Sequence, residues 1–145
     1  MQKLNSFLHK TKITKDELSQ EKVDIFNRLL NINNSFDAFY KYKTMPFGWH
    51  WLFFSHFQSL QKIGEDGHTK RGDFFPVFKG CKRMFAGAEI LVLDEAFINS
   101  KVTKISQITE INNKSTNDKK AFYVTVENVF KIKNKNVLIE KKKIV

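Results

Sequence analysis

The sequence predicts an α+β domain, one amphipathic helix followed by an antiparallel meander of strands. Three observations predict it. Residues after Ile13 follow helical spacing, residues from Arg83 onward alternate with a period of two, and a glycine- and proline-broken stretch separates the two regimes. At 145 residues the chain can bury one core but not two ordinary ones. Hydrophobic residues make up 41%, and fifteen Phe give that core large pieces to bury.

The helix comes first. Thr14-Lys15-Asp16-Glu17 has the form of a capping box, with Thr14 as N-cap and Glu17 at the third helical position. Ile13 and Leu18 supply the matching hydrophobic staple, and Asp16 and Glu17 sit favourably against the helix dipole. Leu18, Lys22, Ile25, Phe26 and Leu29 continue at helical spacing, so the helix is expected over residues 14–30. Asn31-Ile32-Asn33-Asn34-Ser35 ends it.

From Phe36 to Gly80 the chain is aromatic and irregular, punctuated by Pro46, Gly48, Gly64, Gly67, Gly72 and Pro76. Trp49-His50-Trp51-Leu52-Phe53-Phe54 is too dense in apolar bulk for an exposed loop, and a short helix or buried strand is expected there. Strands follow over Met84 to Val92, Val102 to Ile111, and Phe122 to Ile132, where Phe122, Val124 and Val126 alternate with Tyr123, Thr125 and Glu127. Lys133-Asn134-Lys135-Asn136 is a turn, and Val137 to Val145 returns as the last strand. No internal repeat or linker interrupts the series.

Composition narrows the function classes. No apolar run approaches the roughly 18 to 20 residues that span a bilayer, and the N-terminus lacks an apolar signal core. A single Cys allows no internal disulfide, which fits a cytoplasmic protein. The Asn-x-Ser sequons at Asn33 and Asn113 then carry no meaning. Of the net charge of +10, residues 101–145 hold +7, from eleven Lys against four acids. Such a strip suits nucleic acid or cofactor phosphates, but a Lys-rich solvated surface is the better account of it.

The candidate chemistry is sparse. His50 and His56 are six apart among aromatics, and His68 lies in Gly64-Glu65-Asp66-Gly67-His68; no metal-ligand spacing results. Cys81 enters a strand after Gly80 and reads as a bystander thiol. Arg71-Gly72-Asp73 matches an adhesion tripeptide by chance. Trp49, Trp51, Phe53, Phe54 and Phe57 suit core packing better than a base-stacking platform. The glycines do not form a nucleotide-binding fingerprint.

Three runs taken together are specific. They are Trp49-His50-Trp51-Leu52-Phe53-Phe54, Gly64 to Pro76 with its Gly-Glu-Asp-Gly-His start, and Lys82-Arg83-Met84-Phe85-Ala86-Gly87-Ala88-Glu89. With Phe122 to Glu127 and Glu140 to Val145 in order, the chain resembles the N-terminal half of MaoC-like dehydratases, the group of mesaconyl-CoA hydratase and the 3-hydroxyacyl-thioester dehydratases. The resemblance implies a single hot-dog domain over residues 1–145, its antiparallel sheet wrapped around the helix. It implies hydration or dehydration of acyl thioesters of coenzyme A or acyl carrier protein, with the thioester as substrate and no separate cofactor.

The family's catalytic Asp and His lie in a motif like Asp-x-Asn-Pro-x-His after the helix of the second half. Here that place reads Asn31-Ile32-Asn33-Asn34-Ser35-Phe36, with Asn31 at the Asp and Phe36 at the His. Neither can act as a general base or acid. No catalytic residue is therefore assigned, and no metal site. The resemblance implies a noncatalytic half that shapes the acyl pocket, with His50, Trp51, Arg83, Met84 and Gly87 as candidate substrate-binding residues. Gly87 would admit close backbone approach, and Arg83 would hold a phosphate or carboxylate in its planar fork. The expected partners are an acyl-CoA or acyl-carrier thioester and a second hot-dog, as homodimer or as heteromer with a catalytic subunit; no nucleic acid or membrane is expected. Two alternatives stay open. One is a self-sufficient homodimeric hydratase using His50 or His68 with Glu65 or Asp66. The other is a basic nucleic-acid-binding module, for which no motif is present.

Overall fold

Alternation from Phe85 to Ile144 builds four strands of a five-stranded antiparallel sheet. The computed structural model describes residues 2–30, 43–55, 59–64 and 67–145, without the side chains of Gln2 and Lys3. A short helix α1 (Gln2–Asn5) precedes strand β1 (Thr11–Glu17) and the main helix α2 (Gln20–Leu29). Strands β2 (Phe85–Val92), β3 (Lys101–Asn113), β4 (Phe122–Ile132) and β5 (Lys135–Ile144) follow. The sheet order is β1-β3-β4-β5-β2, with every neighbouring pair antiparallel. Among the described residues no helix is long and apolar enough to cross a membrane.

Four of the five strands lie where alternation placed them. The β4–β5 hairpin is tighter than expected, closing on Lys133 and Asn134 alone, with Ile132 paired to Lys135. Both turn residues have positive φ, 47° and 68°, as a two-residue hairpin turn of primed type requires.

The fifth strand corrects the start of the helix. Thr11–Glu17 pairs with β3 from Thr11 opposite Gln107 to Glu17 opposite Lys101. Thr14 caps nothing, and Ile13 is exposed rather than stapled. The helix starts six residues later than Thr14, after an extended Ser19 whose side chain makes no capping bond. Two forces override the local pattern. Backbone pairing along β3 satisfies seven residues at once, and Asp16 serves tertiary structure instead of a first turn. Its Oδ1 accepts from the Glu17 N–H at 2.8 Å, and its Oδ2 from the Phe54 N–H at 2.6 Å and from Lys22 Nζ at 3.1 Å.

The buried face of α2 also differs from expectation. Val23 and Asn27 are buried, whereas Ile25 and Leu29 face out. Asn31 to Ser35, read as the helix stop, lie outside the described residues.

The apolar interior falls into two clusters. The larger gathers Leu18 and Val23 with Phe53, Phe54, Phe130 and Leu138. The smaller holds Phe78, Ile108, Val124 and Val126, backed by Phe74, Phe75 and Phe122. A band of polar side chains on the same face of the sheet lies between them.

Candidate functional site

That band follows from strand parity. Along β3, Lys104 and Ser106 point the way of buried Val102 and Ile108. Along β4, Asn128 stands between inward Val126 and Phe130; along β5, Glu140 follows Leu138. Pairing aligns them, with Ser106 opposite Asn128 and Asn128 opposite Glu140. One row of polar groups thus runs across the middle of the sheet.

Glu140 is the centre of this row and is only 1% exposed. Asn128 Nδ2 donates to its Oε2 at 2.8 Å, and Ser106 Oγ donates to Asn128 Oδ1 at 2.6 Å. The 3-10 turn Trp49–Leu52, entered through Gly48 at φ 83°, lays two more groups on it from above. The Trp51 indole N–H donates to Glu140 Oε1 at 2.6 Å, and His50 Nε2 lies 3.6 Å from the same oxygen. Lys142 Nζ is also 3.6 Å from Oε1. Burial alone would raise the pKa of Glu140, but His50, the Lys142 charge, and the Trp51 and Asn128 donors together hold it at about 2. A carboxylate so firmly ionised is a poor base and no acid at neutral pH. Its role is to fix charge and position.

Beside the belt opens a cavity of about 710 Å³. Its polar wall comprises Lys12, Lys104, Lys142, Arg83 and His68, with Ser106 and Asn128 at its base. Phe54, Phe75 and Phe85 form much of its apolar wall. Lys104 Nζ sits 4.6 Å above the Phe54 ring. Burial, followed by repulsion from Lys142, lowers its pKa to about 8.

The sequence-derived candidates divide between these places. His50 and Trp51 meet on Glu140: His50 is buried at 2% and packs edge-on to Phe130, while Trp51 is 51% exposed. Arg83 lines the cavity, lies over the Phe75 ring and donates to the Thr69 carbonyl at 3.2 Å. Met84 is 63% exposed, in a separate hollow of about 760 Å³ that Arg71, Lys82 and Arg83 also line. Gly87 follows a bulge in β2 at φ 147°, with open space where a Cβ would stand. The structure therefore joins His50 with Trp51 and sets Arg83, Met84 and Gly87 apart from them. His56, Phe57, Glu65, Asp66 and the Asn31–Phe36 stretch lie outside the described residues.

Other motifs resolve into local structure. Arg71 Nη2 donates to the Cys81 carbonyl at 2.9 Å, so the Arg-Gly-Asp tripeptide pins a loop. Cys81 is half-buried against the smaller cluster. The residues that reading the sequence missed are Glu140, Asn128, Ser106, Lys104 and Lys142. Their signal was parity: each is a polar residue at a core-facing step of a strand whose other inward steps are mostly apolar.

Comparison with known proteins agrees with this architecture. The family model for hydroxyacyl-thioester dehydratase type 2 matches residues 48–145, which contain the 3-10 turn and strands β2 to β5. The mesaconyl-C(4)-CoA hydratase of Chloroflexus aurantiacus is 33% identical over 82 residues, 57% of this chain and 29% of that protein. The chain thus spans less than a third of that curated relative. The ChsH1-ChsH2 complex from Mycobacterium tuberculosis is similar in structure at a TM-score of 0.62 and 12% identity, covering 93% of this chain and 85% of that one. The (R)-hydratase from A. caviae involved in PHA biosynthesis gives 0.59 at 12% identity, covering 94% of each chain. The truncated HadBC (3R-hydroxyacyl-ACP dehydratase) complex from Mycobacterium tuberculosis gives 0.61 at 9%, covering 95% and 96%. At such identities the likeness establishes the fold, and the family match adds the rest: this chain is a hot-dog domain belonging to the hydroxyacyl-thioester dehydratase type 2 family.

Proposed function

We propose that this chain is the noncatalytic, acyl-thioester-binding half of a hydratase/dehydratase and works with a catalytic hot-dog. The observation that carries this reading is the sealed pair His50–Glu140, whose side chains are 1% and 2% exposed. Its carboxylate is locked as an anion by four neighbours, so the pair offers neither water activation nor proton delivery to a substrate. Asn31 and Phe36, standing where the family's Asp and His belong, support the same conclusion from the sequence. A thioester ligand is supported by the family and by a curated relative named for a coenzyme A ester.

Pairing is supported by the sheet edge. Strand β2 ends one side of the sheet and exposes Phe85, Leu91 and Val92, each more than half accessible. A bare apolar edge strand calls for a cover. Two of the similar structures are complexes, ChsH1-ChsH2 and HadBC.

The self-sufficient alternative has one observation in its favour: His68 lines the same cavity as Lys104. The test is hydration of crotonyl-CoA and a medium-chain enoyl-CoA, followed by loss of ultraviolet absorbance. The chain alone should show no turnover, and adding a catalytic hot-dog subunit should give more turnover than that subunit shows by itself. Turnover by the chain alone, abolished in His68→Ala, would replace this reading with the alternative.

A further inference from the structure

We propose that the cavity above the polar belt takes the anionic end of an acyl chain that bears a carboxylate, with Lys104 as its counter-ion; this rests on the acyl-thioester reading above. The argument is one of charge matching in a confined space. Four cationic side chains, Lys12, Lys104, Lys142 and Arg83, line the cavity, and among the described residues none that lines it carries a carboxylate. Three of the four have other relations. Lys142 faces the buried Glu140 at 3.6 Å, Arg83 donates to the Thr69 carbonyl, and Lys12 is exposed on β1.

Lys104 differs. It is partly buried on the inner face of β3, and among the described residues it forms no ion pair, resting instead over the Phe54 ring. Desolvation and the nearby Lys142 charge lower its pKa to about 8, so its charged form is held at a cost that a bound anion would remove. One such cation matches one carboxylate. The remaining walls suit the carbons that would lead to it: Phe54, Phe75 and Phe85 offer apolar surface, while Ser106 and Asn128 lie at the polar base. A plain hydrocarbon chain gains nothing from Lys104 and would desolvate it further. The cavity is thus built to prefer a chain ending in charge over one ending in methyl.

The test compares glutaryl-CoA, pentanoyl-CoA and coenzyme A by isothermal titration calorimetry on the full chain at pH 7. Glutaryl- and pentanoyl-CoA share a five-carbon acyl chain and differ at its end. The expected result is glutaryl-CoA binding at least about tenfold tighter than pentanoyl-CoA, the scale of one charge-assisted contact. In Lys104→Met, and in Lys104→Gln as a second variant, that preference should shrink to about twofold or less, with glutaryl-CoA binding weakened and pentanoyl-CoA binding unchanged or tighter. Equal binding of the two thioesters overturns this inference and leaves the thioester reading standing. Coenzyme A binding as tightly as glutaryl-CoA, and weakening in Lys104→Met, overturns it in favour of the coenzyme's phosphates. If no thioester binds, the thioester reading falls and free glutarate decides the cavity. Lys104-dependent glutarate binding keeps the anion site, and its absence ends it.

Discussion

The Trp51 indole N–H donates to Glu140 Oε1 at 2.6 Å, joining a half-exposed ring in the 3-10 turn to a carboxylate buried 89 positions later on β5. The bond fastens the aromatic loop to the sheet and completes the shell of donors around one buried negative charge. Glu140→Ala should therefore destabilise the fold by about 3–5 kcal/mol, since it leaves Lys142, Asn128 and His50 facing an empty site. Trp51→Phe removes one charge-assisted bond and should cost about 1.5–3 kcal/mol. Urea unfolding of the two variants checks both; a Glu140→Ala cost below that of Trp51→Phe would deny the carboxylate its central place.

Acid should expose the same group. The pKa of Glu140 in the fold is about 2, below its ordinary value of 4.5, so below pH 4.5 the unfolded chain binds the proton first. Stability from this group is complete above about pH 5 and drains away as pH falls towards 2. Denaturation midpoints measured from pH 6 to pH 3 should fall more steeply for the native chain than for Glu140→Gln. Parallel curves would contradict the assignment.

Lys104 should show a slope of the same sign, displaced to alkaline pH. Its pKa in the fold, about 8, lies below the ordinary 10.5, so between those values the unfolded chain holds the extra proton and stability rises with pH. Lys104→Met should be more stable than the native chain at pH 7 by about 1–2 kcal/mol, the order expected when a desolvated charge gives way to a carbon chain. Its advantage should shrink between pH 8 and 10. Thermal melts at pH 7, 8.5 and 10 check this; a variant less stable at pH 7 would mean that Lys104 is already compensated in the empty protein.

Thr14 separates strand from helix. As a helix N-cap it would lose about 1 kcal/mol on substitution by Val, whereas in β1 a β-branched replacement should change stability by less than about 0.5 kcal/mol. Ser19→Ala should also be mild, because the Ser19 side chain makes no capping bond. Guanidinium unfolding of both variants measures it, and a large Thr14→Val loss would restore the capping box.

Association should depend on the free edge of β2. Leu91→Lys places a charge at an exposed apolar position and, mixed with a catalytic hot-dog subunit, should lower the mass of the complex seen by size-exclusion with light scattering, with the circular dichroism spectrum of the chain unchanged. An unaltered mass would move the partner surface elsewhere.

Most strands were readable because alternation from Arg83 onward is strong and β3, β4 and β5 pair with sequence neighbours. β1 was not, because Thr14 to Glu17 satisfies a helix-start pattern locally and becomes a strand only by pairing with β3. The site was half legible. His50 and Trp51 stood out as a run of bulk, but their shared partner Glu140 looks like one more charge in a Lys-rich tail until the parity of β5 turns it inward. Lys104 needed three-dimensional information of another kind, the Lys142 charge brought close by β5.

The long-range pairing of β1 with β3 bears on how the molecule assembles. The meander β3-β4-β5 closes through short connections, whereas β1, starting at Thr11, must wait for a partner that begins at Lys101. Loop-closure entropy makes such distant pairings slow to form. β1, synthesised well before its partner, is thus among the last of these strands to dock, and until it does, the Lys104 edge of the meander stands uncovered to whatever chain is nearby.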